Sequence, residues 1–474
     1  MPLSFMPPLF AFPPTARLVN VRTGQTLTAA SLTEAIAAET AHLVALGLSH
    51  GSRIVLGQAD PLEVVVALFA AFEAGLVAVA VNPALPGPEQ LNVVAATGAA
   101  HWLGEQRAAL PLVVERVTAA PTPLDDDEPA LILMTSGTTG RPKGIVHSRQ
   151  SLAARLALNI EAIGAPVLAR SLCVLPVFFG HGLIGNVLTP LLAGGTVHLW
   201  PGPDLSELRG LSALIASERI GFMSSVPSFW KLALRVAPPP SAPLARIHVG
   251  SAPLSIALWQ QIADWGGTRQ VYNMFGMTET ANWIGGGSLD AALTRDGFVG
   301  RPWGGDFAVL TENDRIAPVG RGEVLLRSPS IMLGYWQRPD LDAEAFRDGW
   351  FRTGDVGELS ADGDLTLVGR LKSEINRGGI KVQAEEIDML LERHPDIAEA
   401  CAFGVPDAAA GEAVAAAIVL RQGAVFDPEA IKAWCRAEAR AEAVPTRLHA
   451  VPAIPRNDRG KVVRADVRRL VEAG

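Results

Sequence analysis

The chain has 474 residues, of which 49% are hydrophobic, and it carries a net charge of −8. It is longer than one ordinary domain, and its 46 glycines fit a soluble α/β protein with many turns. A net negative charge does not favour binding to nucleic acid or to an anionic membrane, so local positive charges must hold any anionic substrate. Cys173, Cys401 and Cys435 are too few and too scattered for a disulfide framework or a zinc site, which predicts a reducing, cytoplasmic location.

The N-terminal part of the chain predicts alternating helices and strands. Apolar residues at helical spacing predict helices over residues 32–48, 63–74 and 152–163. Short β-rich runs at residues 53–56 and 76–81 lie between them, and the apolar run 130–134 predicts a buried strand. This alternation favours βαβ units, and therefore an α/β domain of mostly parallel sheets flanked by helices.

Two apolar stretches raise the question of membrane insertion. Residues 1–10 have no basic residue before their apolar run, and prolines interrupt that run, so they do not predict a signal peptide. Residues 171–203 contain no Asp, Glu, Lys or Arg and are long enough to span a bilayer. Their prolines, histidines and glycines instead favour a loop, a buried helix and a buried strand at residues 195–200. We therefore expect no membrane span.

The pattern changes in the C-terminal third. From about Gly320, short strands separated by Asp-Gly and Gly-Asp turns predict hairpins, and therefore a β-rich subdomain. Beyond Leu371 we expect helices at residues 384–394 and 428–441 and strands at 397–405 and 414–420, a compact α+β unit. The predicted division is a large domain of residues 1–371 and a small one of residues 372–474.

Residues 134–144 read Met-Thr-Ser-Gly-Thr-Thr-Gly-Arg-Pro-Lys-Gly, a composition typical of a phosphate-binding loop. Its glycines allow the backbone N–H groups to turn inward, its hydroxyls add donors, and its lysine adds a positive charge. A Walker A loop is excluded, because Pro142 precedes the lysine and Gly144 follows it. The alternative is a polar surface turn. The candidate phosphate-binding residues are Thr135, Ser136, Gly137, Thr138, Thr139, Gly140 and Lys143.

The whole string resembles the signature of the adenylate-forming enzymes, which include acyl-CoA synthetases, aryl-CoA ligases, peptide-synthetase adenylation domains and luciferases. Further motifs similar to that superfamily follow in its order and extend over nearly the whole chain. They are residues 272–280 (Tyr-Asn-Met-Phe-Gly-Met-Thr-Glu-Thr), 322–336, 350–355 (Trp-Phe-Arg-Thr-Gly-Asp), 369–372 (Gly-Arg-Leu-Lys), 376–379 (Asn-Arg-Gly-Gly) and 455–461 (Pro-Arg-Asn-Asp-Arg-Gly-Lys). The resemblance implies a large N-terminal domain and a mobile C-terminal lid.

The resemblance also implies a reaction. A carboxylate attacks the α-phosphate of ATP and pyrophosphate departs, so positive charge is needed around two anions that repel each other. Glu279 is the expected Mg²⁺ ligand, and Thr278 is expected to bind the α-phosphate or the acyl carboxylate. Lys461 would bridge the carboxylate and the α-phosphate; on spacing alone it is equally a surface lysine.

For the nucleoside, the resemblance places Asp355 and Arg370 at the ribose, where the carboxylate can accept from both hydroxyls. A solvated turn is the structural alternative for Asp355. Phe275, where tyrosine is usual, would stack on adenine, and Asn273 would read the adenine amino group. The full set expected around the adenine is Gly250, Ser251, Ala252, Pro253, Asn273, Met274, Phe275 and Gly276.

A second half-reaction would pass the acyl group to a thiol. By resemblance, Lys372 is the hinge of the lid, and Gly378 and Gly379 line the path of the pantetheine arm, where a side chain would block it. An ordinary hairpin turn explains these two glycines equally well. The expected thiol is that of coenzyme A, and the alternative is the phosphopantetheine of an acyl carrier protein. A non-catalytic nucleotide-binding relative is disfavoured because Lys461, Glu279 and Asp355 are all present.

The acyl pocket has a less specific signature. Residues 177–183 are similar to the start of the acid-binding helix in aryl-CoA ligases, with His181 where tyrosine is common, and Phe179 stands where dicarboxylate ligases have a histidine. Simple core packing is the alternative for each pocket residue. The apolar surroundings predict an aromatic or medium aliphatic acid. The candidate pocket residues are Phe178, Phe179, His181, Gly250 and Met274, with Met223, Val226 and Trp283 nearby.

Overall fold

The computed structural model describes residues 11–115, 122–135, 143–291, 294–377, 380–407, 410–457 and 461–472. In chain order, strands β1 to β13 span Arg17–Asn20, Thr26–Thr28, Arg53–Gly57, Val77–Ala80, His101–Gly104, Pro129–Thr135, Lys143–Ser148, Arg170–Cys173, Thr196–Leu199, Phe222–Ser225, Arg246–Gly250, Val271–Gly276 and Trp283–Ser288. Helices α1 to α9 of the same region span Ala29–Ala45, Pro61–Glu73, Gly87–Thr97, Arg149–Ile163, Ala165–Leu168, Thr189–Leu192, Leu211–Ser217, Pro227–Val236 and Ile256–Gly266.

The remaining elements follow in chain order. Strands β14 to β21 span Phe298–Gly300, Asp306–Leu310, Ile316–Ala317, Gly320–Arg327, Gly334–Tyr335, Phe346–Arg347, Trp350–Leu359 and Leu365–Arg370, and helix α10 spans Pro339–Ala345. Strands β22 to β26 span Glu374–Arg377, Ile380–Gln383, Ile397–Asp407, Gly411–Leu420 and Arg447–Ala450. Helices α11 to α13 span Ala384–Glu392, Pro428–Glu438 and Arg464–Glu472.

Two sheets form the N-terminal body. The first has the order β13-β12-β11-β10-β8-β9-β1-β2 and is parallel except at the pairs β12–β13 and β1–β2. The second has the order β18-β7-β6-β4-β3-β5, with parallel pairing from β6 to β5 and antiparallel pairing at β6–β7 and β7–β18. The predicted α/β fold class with mostly parallel sheets is confirmed.

Helix α2 lies in the core between these sheets. Asp60 caps its N-terminus by accepting from the N–H of Leu62, and Pro61 occupies the first helical position, where a missing N–H costs nothing. Its apolar residues, from Leu62 to Phe72, occupy nearly every face, as expected of a helix that is buried all round. The same cluster contains side chains of β3, β4 and β6 from one sheet and of β1 and β9 from the other.

The uncharged stretch at residues 171–203 folds into β8, a buried helical turn and β9, so the predicted buried helix and strand are present and β8 is an additional strand. The helical part begins as a π-helix, His181–Leu188, whose residues are all buried, and continues into α6. No helix in the described parts of the chain is both long and apolar enough to cross a membrane.

A third, antiparallel sheet forms the predicted β-rich subdomain, with the order β14-β21-β20-β17-β15-β16 and β19 paired to β20. Strands β20 and β21 bring Asp355 directly opposite Arg370. The C-terminal unit has its own sheet, β23-β22-β25-β24 with β26 on β25, and its own core around Ile387, Leu391 and Ile418. A single turn, Leu371–Ser373, joins the two sheets.

Candidate active site

The predicted phosphate loop joins two paired strands. Thr135 ends β6 and lies opposite Lys143 at the start of β7, and the Thr135 hydroxyl donates to the Lys143 carbonyl at 3.4 Å. The hairpin geometry therefore brings both ends of the loop together at one edge of the second sheet. The other candidate phosphate ligands, Ser136, Gly137, Thr138, Thr139 and Gly140, lie outside the described residues.

Lys143 and Glu279 meet beside this loop. The Lys143 ammonium donates to Glu279 Oε1 at 3.1 Å and lies 4.1 Å from the ring centroid of Tyr335. The Tyr335 hydroxyl donates to the same Glu279 oxygen at 3.0 Å, and burial together with this carboxylate raises the pKa of the phenol. Sequence reasoning missed Tyr335, which lies in a quoted motif but reaches the site only because β18 pairs with β7.

Glu279 and Thr278 stand on a short 3₁₀ turn, Thr278–Thr280, directly after β12. The buried His147 imidazole donates from Nε2 to the Thr278 carbonyl at 2.7 Å, and burial lowers the pKa of His147 to about 4. A Cβ at Gly276 would lie 2.5 Å from the Asn282 carbonyl, so the chain reverses here only with glycine. A neutral histidine on β7 thus fixes the turn that carries both candidate residues.

Asp355 and Arg370 form an ion pair at the base of the C-terminal unit. Arg370 Nε lies 2.7 Å from Asp355 Oδ1. Burial raises the pKa of Asp355 to about 6, although the positive charges of Arg370 and Lys461 act in the opposite direction. A solvated turn is therefore not the environment of this carboxylate, because its side chain is only 12% exposed.

Lys461 acts on two parts of the site. Its charge lowers the pKa of Asp355 and also that of His181, which burial brings to about 3. A direct contact joins the N-terminal body to the C-terminal unit elsewhere: Lys231 of α8 forms a 2.7 Å ion pair with Glu392 at the end of α11.

His181 is the centre of a polar network at the start of the π-helix. Its ring nitrogens lie 2.9 Å from the Ser251 hydroxyl and 2.8 Å from the Ser224 hydroxyl. Since the imidazole is neutral, one nitrogen donates and the other accepts. Ser251 holds a φ of 68°, a left-handed conformation that is uncommon outside glycine, and it follows Gly250 at the end of β11.

The other predicted pocket residues divide between two faces of the first sheet. Met274 packs with Phe222 and Trp283 on the face that contains His181. Met223 packs instead in a second core cluster, which also contains Val226 and has Phe179 packed against it. Strand β10 turns alternate side chains to opposite faces, so Met223 points away from Phe222 and Ser224, whereas Val226 lies beyond the end of the strand. The placement of Val226 and Phe179 beside the acid stays a prediction. Phe178 and Phe179 contact each other edge to face at 5.8 Å.

The predicted adenine residues lie on β11, on β12 and in the loop after β11. Asn273 donates from Nδ2 to the Phe298 carbonyl at 2.9 Å, so one of its amide hydrogens is already bonded. The Phe275 ring is 5% exposed and packs 6.1 Å from Phe307. Ala252 and Pro253 continue the loop after Ser251. Stacking of Phe275 on adenine stays a prediction.

The predicted hinge residue, Lys372, lies in the single turn Leu371–Ser373. The Ser373 hydroxyl donates to Glu385 Oε1 at 2.7 Å and so attaches this turn to the first turn of α11. Gly378 and Gly379, the residues expected to line the pantetheine path, lie outside the described residues.

A metal at this site would depend on its substrate. In the described ranges no group of three or more His, Cys, Asp or Glu side chains is arranged to hold an ion. Mg²⁺ in nucleotide enzymes is commonly bound by one or two carboxylates together with the substrate phosphates and water. Glu279, next to the phosphate loop, fits that kind of site.

Comparison with known proteins agrees with this geometry. Residues 11–336 match the family model of the AMP-binding enzymes, and residues 386–461 match the model of the AMP-binding enzyme C-terminal domain. A protein of Humulus lupulus named probable CoA ligase CCL9 is 32% identical over 92% of this chain and 90% of its own length. A sulfoacetate–CoA ligase of Cupriavidus necator is 34% identical over 75% of this chain and 70% of its own length.

Among solved structures, ATP-bound MatB from Rhodopseudomonas palustris superposes with a TM-score of 0.85 at 24% identity, covering 98% of both chains. At that identity the likeness concerns the fold, in which the sheets, the β-rich subdomain and the C-terminal unit all correspond. The family-model matches and the order of the motifs lead to the same conclusion: the chain belongs to the AMP-binding enzymes, the adenylate-forming superfamily that its sequence resembles.

Proposed function

We propose that this enzyme activates a carboxylic acid with ATP, forms an acyl adenylate with release of pyrophosphate, and transfers the acyl group to the thiol of coenzyme A. One observation carries the proposal: the Lys143 ammonium beside the phosphate loop and the Glu279 carboxylate on the turn after β12 meet at 3.1 Å. The two motifs expected to hold the phosphates and Mg²⁺ thus converge on one point. Lys461 would approach the reacting carboxylate and the α-phosphate from the C-terminal unit.

Charge neutralisation is the chemical task of the first step. Lys461 would stabilise the charge that develops as the carboxylate oxygen attacks the α-phosphate, while Lys143 would hold the departing phosphates with the loop. Thr278 would position the α-phosphate or the acyl carboxylate by its hydroxyl. Glu279 would hold Mg²⁺, which supplies neutralising charge on the phosphates when bound.

The nucleoside would be held at the paired strands β20 and β21. Asp355 would accept from the ribose hydroxyls, and Arg370 fixes the orientation of that carboxylate through their ion pair. Adenine would lie between the loop of residues 250–253 and the end of β12, where Met274, Phe275 and Gly276 occur. The support for this assignment is the motif order and the buried environment of Asp355.

The second step would require movement of the C-terminal unit. We place the hinge at Lys372, in the single turn that joins β21 to β22, and the mobile unit at residues 372–474. Gly378 and Gly379 would line the pantetheine path after that rotation. Coenzyme A is favoured over a carrier protein because the relatives are named as CoA ligases.

The acid would bind between the π-helix His181–Leu188 and the face of the first sheet that presents Ser224, Gly250 and Met274. Phe178 and Phe179 precede this helix and would border the entrance. An aromatic or medium aliphatic acid fits the expected apolar walls, whereas the network of His181 with two serines adds a polar side. The identity of the acid is addressed further below.

The test is acid-dependent exchange of labelled pyrophosphate into ATP, measured with and without Mg²⁺ over aromatic and aliphatic acids of several lengths. An active acid is then incubated with coenzyme A or with a phosphopantetheinylated carrier protein, and the thioester is identified by mass spectrometry. We expect Mg²⁺-dependent exchange and an acyl-CoA product. Absence of exchange with every acid would refute acyl adenylation, and thioester on the carrier alone would refute the assignment of coenzyme A.

A further inference from the structure

A buried polar group adjoins the proposed acid site and takes no part in the mechanism above. His248 of β11 is fully buried, next to Trp283 of β13, with ring centroids 4.8 Å apart at an interplanar angle of 85°. Trp283 in turn lies 5.5 Å from His181. A Cβ at Gly185 would lie 2.9 Å from the Trp283 ring, so the indole packs directly on the backbone of the π-helix. His248 and Trp283 thus lie between that helix and the sheet.

The hydrogen bonding of His248 fixes where its proton lies. Arg246 donates from Nε to His248 Nε2 at 2.8 Å, and a nitrogen that accepts cannot carry the proton. Burial and the neighbouring charge of Arg246 lower the pKa of His248, so the ring is neutral and Nδ1 is an N–H donor. Within the described residues, this buried donor has no hydrogen-bond partner. An unpaired buried donor destabilises the folded protein, and a ligand that accepts its hydrogen bond would remove that cost.

Trp283 supplies a second donor of the same kind. Its indole Nε1 is buried and, in the part of the chain that the structure describes, lacks a partner. One unpaired indole is not by itself evidence of a binding site, because the indole of Trp230 is also unpaired, in the core on the opposite face of the sheet. Trp283 differs from Trp230 because it contacts a second unpaired donor, His248, beside the proposed acid site.

The positive charge of Arg246, next to His248, favours the binding of an oxygen acceptor by these donors. Arg246 is 8% exposed, and its guanidinium stacks on the Tyr272 ring at 3.8 Å and donates to the Ala162 carbonyl. No carboxylate of the described ranges forms an ion pair with it. A buried cation without a counter-ion favours negative charge nearby, and His248 transmits that polarity to its Nδ1 proton.

We propose that His248 and Trp283, polarised by Arg246, bind an oxygen acceptor carried by the acid at the end opposite the reacting carboxylate. The inference rests on the proposed function, because it takes the acid to enter between the π-helix and the sheet. It deepens that function by selecting the substrate class: acids that end in a carbonyl or a second carboxylate, in preference to hydrocarbon acids of the same shape. A hydrogen bond to both donors would satisfy two groups that are otherwise buried without partners.

The test compares acids that differ only at the far end. A short series consists of succinate, 4-oxopentanoate and 4-methylpentanoate, and an aromatic series of benzene-1,4-dicarboxylate, 4-acetylbenzoate and 4-isopropylbenzoate. In each series the three acids have the same branching and present a carboxylate, a neutral carbonyl or a hydrocarbon. We measure kcat/KM for pyrophosphate release with the full-length enzyme. At least one series should favour an oxygen-bearing acid over its hydrocarbon counterpart by about tenfold or more.

Two matched variants assign that preference to the indole. Trp283→Phe keeps a buried aromatic ring but removes the N–H group, and it should reduce the preference several-fold. Trp230→Phe removes an equally buried and unpaired N–H group from the opposite face and should leave the preference unchanged. The carboxylate and carbonyl members separate the two sources of the acceptor, since only the former uses the full charge of Arg246.

Stabilisation against thermal unfolding by each acid, measured without ATP, provides a readout that does not need turnover. The oxygen-bearing member should raise the melting temperature of the parent more than that of Trp283→Phe. Equal or better use of the hydrocarbon acids in both series overturns the inference, as does a preference that survives Trp283→Phe. If no acid supports pyrophosphate release, the proposed function fails, and the thermal comparison still decides whether these donors bind an acceptor.

Discussion

We expect the protonation of Asp355 to make nucleotide binding depend on pH, because the proposed ribose contact uses the ionised carboxylate. Burial raises the pKa of this carboxyl to about 6, so at pH 7 the ionised form exceeds the neutral form about tenfold, and at pH 5 the ratio is reversed. An ionised carboxylate can accept from two ribose hydroxyls, whereas a protonated acid gives up one acceptor. If the ionised form binds, the Kd for AMP should rise by about tenfold from pH 7 to pH 5, or about 1.4 kcal/mol.

Replacing Arg370 tests the cause of that pKa. Burial raises the pKa of Asp355 and the guanidinium 2.7 Å away lowers it, so Arg370→Gln leaves the raising effect less opposed. The pH at which AMP binding is half lost should therefore move upward. Asp355→Asn cannot titrate, so its weaker binding should show only the pH dependence of AMP itself, whose phosphate also titrates near pH 6.

The assay is calorimetric titration of the full-length protein with AMP from pH 5 to pH 9, at constant ionic strength. Arg301→Gln is the matched control, because Arg301 pairs with a different carboxylate, Asp364, at 3.3 Å in the same subdomain and is about as exposed as Arg370. It should reproduce the parent profile. A parent profile without change between pH 5 and pH 7, or an Arg370→Gln profile with an unmoved midpoint, would refute the reasoning.

Two further predictions concern the C-terminal unit. Lys461→Ala should slow acyl-adenylate formation by about 10²-fold or more, the scale of losing one transition-state contact, while thioester formation from supplied acyl adenylate continues; equal loss of both steps would contradict the assigned role. Lys231→Glu should slow adenylation by placing like charges against Glu392, and the exchange Lys231→Glu with Glu392→Lys should restore the rate, as measured by pyrophosphate exchange. No recovery in the double variant would mean that this contact is not used in the first step.

The sequence predicted those parts of the fold in which local pattern and tertiary environment agree. Helix α1 was expected at residues 32–48 and spans Ala29–Ala45, because Thr28 and Ser31 cap its N-terminus reciprocally and Gly47, with a φ of 65°, follows its end. The order of elements, the buried strand before the phosphate loop and the hairpins after Gly320 all follow from periodicity and turn residues. Periodicity and turn residues are properties of neighbouring residues in the chain, so these elements can be predicted without knowing how the chain packs.

Contacts between distant segments could not be predicted in this way. Tyr335 reaches Glu279 only because a two-residue strand pairs with β7, and His147 reaches the Thr278 carbonyl from β7 itself. Met223 was placed near the pocket by composition, whereas the alternation of β10 turns it into the opposite core. The motifs indicate which residues are expected to carry the chemistry, while the partners that hold those residues depend on sheet register.

The ion pair between Lys143 and Glu279 suggests how these two side chains are held in position before ATP binds. Lys143 is paired with Glu279, so the cation expected to meet the phosphates and the carboxylate expected to meet Mg²⁺ neutralise each other. If a phosphate took the place of Glu279 on Lys143, the Glu279 oxygen would lose its cation, and a divalent metal would supply that charge. Tyr335 donates to the same oxygen and would keep the carboxylate oriented during the exchange. We therefore expect phosphate binding and metal binding to be coupled through this one carboxylate.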